Sequence, residues 1–193
     1  METSKQLLKK DWVLYHYRPN TTRKTFSSLN DAYRQFWESF HFIAKFSSVE
    51  NFLALDGQQK RVSNLTHGND CYVFKHDIPI DWTHPRNIEG GRWIFKYDTT
   101  ISGSQLDNIF YQSVLCLVSE DCWNEREKIC GIAIHIRNKM NKICVWTSDH
   151  KNPDEIIKIG KVFKEKIGYT ETATYEVHRE AQRELRPQPA YSI

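Results

Sequence analysis

No stretch of this 193-residue chain holds the roughly 18 consecutive apolar residues that a membrane-spanning helix needs. Residues 1–10 likewise lack the apolar centre of a secretory leader. Its five cysteines, Cys71, Cys116, Cys122, Cys130 and Cys144, form an odd set without regular spacing, which argues against a secreted disulfide framework and for reduced thiols. A soluble, cytoplasmic protein with no membrane partner is expected. No GxSxG, GxGxxG, P-loop or HExxH run occurs, and no Cys/His cluster repeats a metal-ligand spacing, so no catalytic residue, metal or cofactor is expected. Cys71 and His76 read more simply as strand core and surface than as a reactive pair. A net charge of +3 supplies no global field for long duplexes, so any nucleic-acid contact must come from local clusters.

Aromatic residues, at 13%, are in excess, while apolar (39%) and charged (26%) contents are ordinary. The length fits one domain over residues 1–193, without repeats or a composition break. Residues 12–17 read as a strand, and residues 18–28, rich in Pro, Asn, Thr and Ser, as a loop. The insertion at 18–35 is expected to be mobile. Helical spacing of Leu29, Ala32, Tyr33, Phe36 and Trp37 predicts a short turn before a strand carrying Phe40, Phe42, Ala44 and Phe46. Ser47 or Ser48 can cap a helix bearing Val49, Phe52 and Leu53, with Gly57 placed to end it.

Residues 71–76 and 92–97 read as strands joined by a Pro-interrupted loop containing Trp82. Ser104 to Asp107 approximates a capping box for a helix turning Leu106, Ile109, Phe110, Ser113, Val114 and Leu117 inward. Residues 129–137 and 142–147 form a predicted hairpin with a cationic tip. Asn152 and Pro153 open a helix burying Ile156, Ile159, Phe163 and Ile167, stopped by Gly168. A short strand near 172–177 follows, and the tail at 179–193, with Pro187 and Pro189, is expected to be loosely ordered. This order predicts an α+β fold: a curved antiparallel β-sheet of about eight strands backed by three helices on its convex face.

Tryptophans most often serve as core, but Trp82 lies in a polar, proline-bearing loop, and Trp37 follows a flexible segment. Two such indoles can clamp a flat base, and a cationic base gains a further 0.5 to 2 kcal/mol or so per face from cation–π attraction. That chemistry favours 7-methylguanine over guanine. Strand alternation sets Ala133, His135 and Arg137 opposite Ile132, Ile134 and Ile136. With Lys139 and Lys142 at the turn, three cations gather where phosphates would find charge-assisted donors, although a solvated turn reads equally from these residues. Arg92, after Gly90 and Gly91, can join the same face or form a surface ion pair.

Trp82, Asn87, Gly90-Gly91-Arg92-Trp93, Leu106-Asp107, Leu115-Cys116-Leu117, Cys130-Gly131, Arg137, Lys139, Lys142 and Trp146-Thr147 together resemble the eukaryotic translation initiation factor 4E family. The spacing holds without gaps from Phe40 to about Gly168, roughly two thirds of the chain. The resemblance implies a cupped eight-stranded sheet that binds the 7-methylguanosine cap of messenger RNA. It implies that Trp37 and Trp82 sandwich the base, Trp146 touches its methyl group, Arg137 and Lys142 hold the phosphates, and Lys139 and Arg92 support them. Three departures stand out. Thr83 replaces the Glu whose carboxylate binds guanine in the family. The insertion before Phe36 and Trp37 is longer than usual, so register favours Phe36 at the first sandwich position while side-chain type favours Trp37. Leu53 stands where the family carries a Trp. Asp81 or Glu89 are the alternative carboxylates, and the aromatic, basic arm with Tyr15, Tyr17, Arg18, Arg23 and Lys24 can reach nucleotides beyond the cap.

Tyr111, Leu115 and Val118 follow i, i+4, i+7 spacing beside the core stripe, and Val49 with Leu53 extends them. Such a strip either closes the core or receives a partner helix. The resemblance implies that it binds the initiation scaffold factor or a repressor through a short helical motif. The reading is therefore a cap-binding protein that recruits messenger RNA for translation initiation. Its alternatives are a cap-binding repressor that does not recruit the scaffold, and a cap or nucleotide hydrolase, for which the scattered carboxylates supply no metal-binding motif.

Overall fold

Period-two alternation of apolar and polar residues becomes a single sheet in the computed structural model, which describes residues 7–20, 28–56, 61–119, 126–184 and 187–193. Its strands are β1 (Leu7–Tyr17), β2 (Phe40–Ser48), β3 (Asp70–Lys75), β4 (Gly91–Asp98), β5 (Ile129–His135), β6 (Met140–Thr147), β7 (Thr174–Val177) and β8 (Tyr191–Ser192). They pair antiparallel in the order β2-β1-β3-β5-β6-β4-β7-β8, as one curved, unclosed sheet. The helices are α1 (Leu29–Glu38), α2 (Val49–Asp56), α3 (Gly103–Val118), α4 (Pro153–Lys166) and α5 (His178–Arg183). The fold is α+β, as the order of elements predicts.

One sheet face is mostly apolar, with His16 and Lys75 its buried polar exceptions on β1 and β3. Trp12, Leu14, Val73, Trp93, Phe95, Ile132, Ile134, Ile143 and Val145 meet Phe52 of α2, Leu106, Phe110, Val114 and Leu117 of α3, and Ile156, Ile159 and Phe163 of α4 in one buried cluster. Burying each such aliphatic or aromatic side chain contributes about 1.5 to 3 kcal/mol, so this face anchors the sheet. Trp93, fully buried, donates from Nε1 to the Ile156 carbonyl at 2.8 Å, which fixes α4 against β4. Three helices therefore back the convex face, as expected, while α1 and α5 lie elsewhere.

Local signals set most boundaries. Ser48 Oγ accepts from Asn51 N–H at 3.1 Å at the start of α2, and Asn152 caps α4 with Pro153 in its first turn. Gly168 takes φ 64° just past α4, a conformation that disfavours any side chain. The expected Gly57 stop, Cys122 and residues Arg23 and Lys24 lie outside the described residues. The capping box of α3 starts at Ser102 rather than Ser104: Ser102 Oγ accepts from Gln105 N–H, and Gln105 Oε1 accepts from Ser102 N–H. The short turn expected before β2 is a ten-residue helix, α1, with Ser28 as its cap.

The tail departs most from expectation. Rather than being loose, residues 178–183 form α5, and β8 pairs with β7. Lys164 Nζ donates to the Ile193 carbonyl at 3.0 Å, and the Tyr175 and Tyr191 rings lie 5.7 Å apart. α5 also grips the loop between β3 and β4. Gln182 Nε2 donates to the Trp82 carbonyl at 3.2 Å, Arg179 pairs with Glu89, and His178 Nδ1 bonds the Asn87 carbonyl at 2.9 Å. Asn87 in turn donates to the Pro79 and Asp81 carbonyls.

Two stability outcomes follow from this packing. A Cβ at Gly160 would lie 2.4 Å from the Trp93 ring and 2.8 Å from Ile193, so Gly160→Ala should lower stability by about 1 to 3 kcal/mol in chemical denaturation. His178 is fully buried against Trp146, and burial, aided by Arg92 and His150, pushes its pKa from 6.5 down to about 4 despite the Asn87 bond. A lowered imidazole pKa favours the neutral fold. Its contribution is complete above pH 6.5 and is lost as pH falls through 4. Unfolding free energy should fall by about 3 kcal/mol across that window, and His178→Phe should flatten this slope.

Candidate functional site

The other sheet face is where register concentrates chemistry. Directly opposed residues form three rows across β1, β3, β5, β6 and β4: Tyr17, Asp70, His135, Lys142 and Lys96; Tyr15, Tyr72, Ala133, Cys144 and Ile94; Val13, Phe74, Gly131, Trp146 and Arg92. The middle and last rows build a second apolar cluster with Ile78 and Ile80. The first row is polar and ends at the cationic hairpin.

Above these rows opens a cavity of about 280 Å³ lined by Tyr17, Phe36, Phe40, Tyr72, Trp82, Arg92, Arg137 and Trp146, among others. Trp82 is half-buried on its loop, unlike the core residues Trp12 and Trp93. Trp146 lies on the floor at 5% exposure, edge-on to Phe74 at 5.3 Å. Both stand in the cavity, where the sequence reading puts them.

Trp37 does not. Phe36, 42% exposed, lines the cavity with Trp82, whereas Trp37 lines a neighbouring recess with Val13, Tyr15 and His76. Consecutive positions on a helix point about 100° apart, so α1 can offer the cup only one of the two rings. Phe36 is held by Tyr17 at 5.7 Å and Phe40 at 5.2 Å, and Trp37 packs on Tyr33 and Phe40. The register reading, rather than the side-chain reading, matches this geometry.

The four candidate cations divide into two pairs. Arg92 is bound by Glu176 at 3.0 Å and lies 5.7 Å from the Trp82 ring centroid, so it supports that indole through cation–π contact. Arg137 makes a forked pair with Asp70, Nη1 to Oδ1 at 2.5 Å and Nη2 to Oδ2 at 3.2 Å. Lys139 is exposed and Lys142 half-buried, and neither has an ion-pair partner among the described residues. With Lys96 of the same row, also exposed and without an ion pair among the described residues, the two lysines are uncompensated positive charge at this end of the cup.

Asp70, 3% exposed, is the residue that organises this end, and sequence reasoning passed over it. Burial acts to raise its pKa, but the His135 bond and charge and the Arg137 pair outweigh this and hold the carboxyl below its usual range. His135 lies 2.9 Å away. Burial opposes its protonation, yet the Cys144 sulfur and Asp70 together push its pKa up to about 9. The Cys144 thiol is correspondingly lowered by the His135 charge, against the effect of its own burial. Alternation had put His135 on the Arg137 face, but Asp70 lies one residue before the expected strand, where no pattern marked it.

On the convex side the predicted partner strip is only partly exposed. Leu53 is 41% exposed; Val49, Tyr111 and Leu115 are half-buried, and Tyr111 stacks on Phe52 at 5.6 Å. Val118, expected in the strip, is 5% exposed and belongs to the core. Tyr111 also lines a cleft with Phe52, Leu55, Arg61 and Asp107, the last of which accepts from Ser63 N–H at 2.9 Å. Among the described residues no group of three or more His, Cys, Asp or Glu side chains is arranged to hold a metal ion. No helix of the described residues is long and apolar enough to cross a membrane.

Known proteins share this architecture. The family model described as Eukaryotic initiation factor 4E matches residues 7–190. Eukaryotic translation initiation factor 4E-1A of Danio rerio is 34% identical over 164 residues, covering 85% of this chain and 71% of the relative. The complex of C. elegans eIF4E-3 with the 4E-binding protein Mextli and a cap analog is 26% identical, with a TM-score of 0.84 over 98% of this chain and 100% of that one. Ascaris suum eIF4E-3 with an m7G cap is 27% identical, with a TM-score of 0.84 over 98% of each chain. The extent of the family match and the identity to the fish factor together establish that this chain belongs to the eukaryotic initiation factor 4E family.

Proposed function

We propose that this chain binds the 7-methylguanosine cap of messenger RNA and brings it to translation initiation as a cytoplasmic binding protein, without breaking a bond in the cap. The observation that carries this reading is the juxtaposition, around one cavity, of two aromatic jaws, a tryptophan floor and a cationic rim. A base methylated at N7 carries delocalised positive charge. Held between Phe36 and Trp82 it gains about 1 to 3 kcal/mol per stack, and about 0.5 to 2 kcal/mol more per face for its charge. Trp146 on the floor meets the methyl edge. Lys139 and Lys142 attract the phosphates, with Arg137 turning from Asp70 toward them at the cost of part of its ion pair.

The family relationship supports the same reading, as do the cap-bound complexes of the nematode proteins. On the convex side, exposed Leu53 beside Val49, Tyr111 and Leu115 offers an apolar strip to a helical segment of an initiation scaffold factor or a repressor. The C. elegans relative carries a 4E-binding protein.

Fluorescence titration should show quenching by 7-methyl-GTP at least tenfold stronger in affinity than by GTP, because only the methylated base is cationic. Trp82→Ala should weaken binding about 10- to 100-fold and Phe36→Ala about 5- to 50-fold, while Trp37→Ala should change it less than threefold. Equal response to both nucleotides would remove the clamp. Affinity should fall as salt rises, with a shallower slope in Lys139→Ala/Lys142→Ala. Leu53→Asp should weaken capture of a helical scaffold peptide by about tenfold without altering cap affinity. A chain that binds cap but no scaffold peptide acts as a repressor. Intact 7-methyl-GTP after prolonged incubation with divalent metal is expected, and its cleavage would mark an enzyme.

A further inference from the structure

A guanine held in this cup presents N1–H and a 2-amino group along one edge, and a carboxylate is the strongest side-chain acceptor for such donors. Five carboxylates border the cavity or lie on its loops, and Asp77 among them is paired with Arg86 at 3.1 Å. Asp70 has both oxygens occupied, by Arg137, His135 and Tyr72. Glu176 is bound by Arg92 Nε and Nη2. Glu89 is paired with Arg179. Asp81 differs from these in lining the cavity with no ion-pair partner among the described residues.

Asp81 lines the cavity beside Trp82, and its Oδ1 accepts from Thr83 N–H at 2.8 Å and from Thr83 Oγ1 at 2.6 Å. Its Oδ2 has no hydrogen bond among the described residues. The loop that carries it is braced on both sides, since Asn87 Nδ2 donates to the Asp81 carbonyl at 2.8 Å and Gln182 to that of Trp82. The turn thus fixes one carboxylate oxygen and leaves the other unbonded on a residue that lines the cup. Thr83, whose hydroxyl is donated to Asp81, is committed to orienting it.

We infer that Asp81 is the base-edge acceptor of this cup, with Thr83 as its positioning residue. This rests on the cap-binding reading above. Oδ2 accepts the N1–H of the base, while Oδ1 remains bonded to the loop. An acceptor using one oxygen makes little demand on the 2-amino group. The unaltered chain therefore tolerates a base that retains N1–H and lacks the amino group.

Calorimetric titration of the full chain with 7-methyl-GTP and with 7-methylinosine triphosphate tests the assignment. Affinities within about threefold of each other are expected for the unaltered chain. Asp81→Asn keeps an oxygen for Thr83 but turns an N–H donor toward the base's own donor, and it should weaken 7-methyl-GTP about 10- to 100-fold, as should Asp81→Ala. Thr83→Val, which loses only the orienting hydroxyl bond, should weaken it about 3- to 10-fold. Asp98→Asn, at the exposed end of β4, should bind as the unaltered chain. Thermal melts within the range of the unaltered chain exclude misfolding as the cause of a loss. If Trp82→Ala abolishes binding while Asp81→Asn and Asp81→Ala leave it unchanged, the base-edge assignment is wrong and the cap reading stands. A thirtyfold preference for 7-methyl-GTP over the inosine form overturns the one-oxygen account. Failure of the unaltered chain to bind 7-methyl-GTP overturns both.

Discussion

Register across five strands is the constraint on which the rest of this molecule depends. Because opposed residues of β1, β3, β5, β6 and β4 share a face, Tyr17, Asp70, His135, Lys142 and Lys96 fall in one row, and Phe74, Gly131, Trp146 and Arg92 in another. A slip by one residue would send these side chains into the helix-covered core and expose Ile132, Ile134, Ile143 and Val145. Burial of that apolar set against α2, α3 and α4 is what forbids the slip. The hydrophobic layer thus positions the polar one, although among the described residues none of α2, α3 or α4 lines the cup.

The floor and the jaws are held by different means. Trp146 and the Asp70 network sit on paired strands, whereas Phe36 comes from α1 and Trp82 from the loop between β3 and β4. Sheet residues are fixed by strand pairing; the loop is fixed by its own backbone turns and by side chains. Asn87, Glu89 and the Trp82 carbonyl are each bonded to α5, and Arg92 supports the indole from β4. The Gln182 tether holds the jaw, whereas His178 also packs on the floor residue Trp146, with ring centroids 4.4 Å apart.

Much of this was legible in the chain itself. Alternation in residues 129–137 separated Ile132 and Ile134 from Ala133 and His135, and the structure keeps that separation because the strand is buried on both faces by chemically different partners. The Asn152-Pro153 cap and the Gly168 stop are local signals that need no tertiary information. Phe36 and Trp37 show the opposite case. Both fit the stripe of α1, and only the docking of that helix on Tyr17 and Phe40 decides which ring faces the cup. α5 and β8 were illegible because they are six and two residues long, beside two prolines, and are stabilised by contacts with distant residues rather than by propensity. Asp70 was invisible for a related reason: a lone acid at a strand edge acquires its meaning from His135 and Arg137, which are more than sixty positions away.

The most direct measurement is the set of intermolecular nuclear Overhauser contacts from the N7-methyl protons and the ribose H1′ of 7-methyl-GDP bound to the isotopically labelled chain. A base seated between Phe36 and Trp82 should give methyl contacts to Trp146 and Trp82 and ribose contacts in the cup, with none to the Trp37 ring. Methyl contacts to Trp37, Val13 or His76 in place of these would put the base in the neighbouring recess and contradict the account.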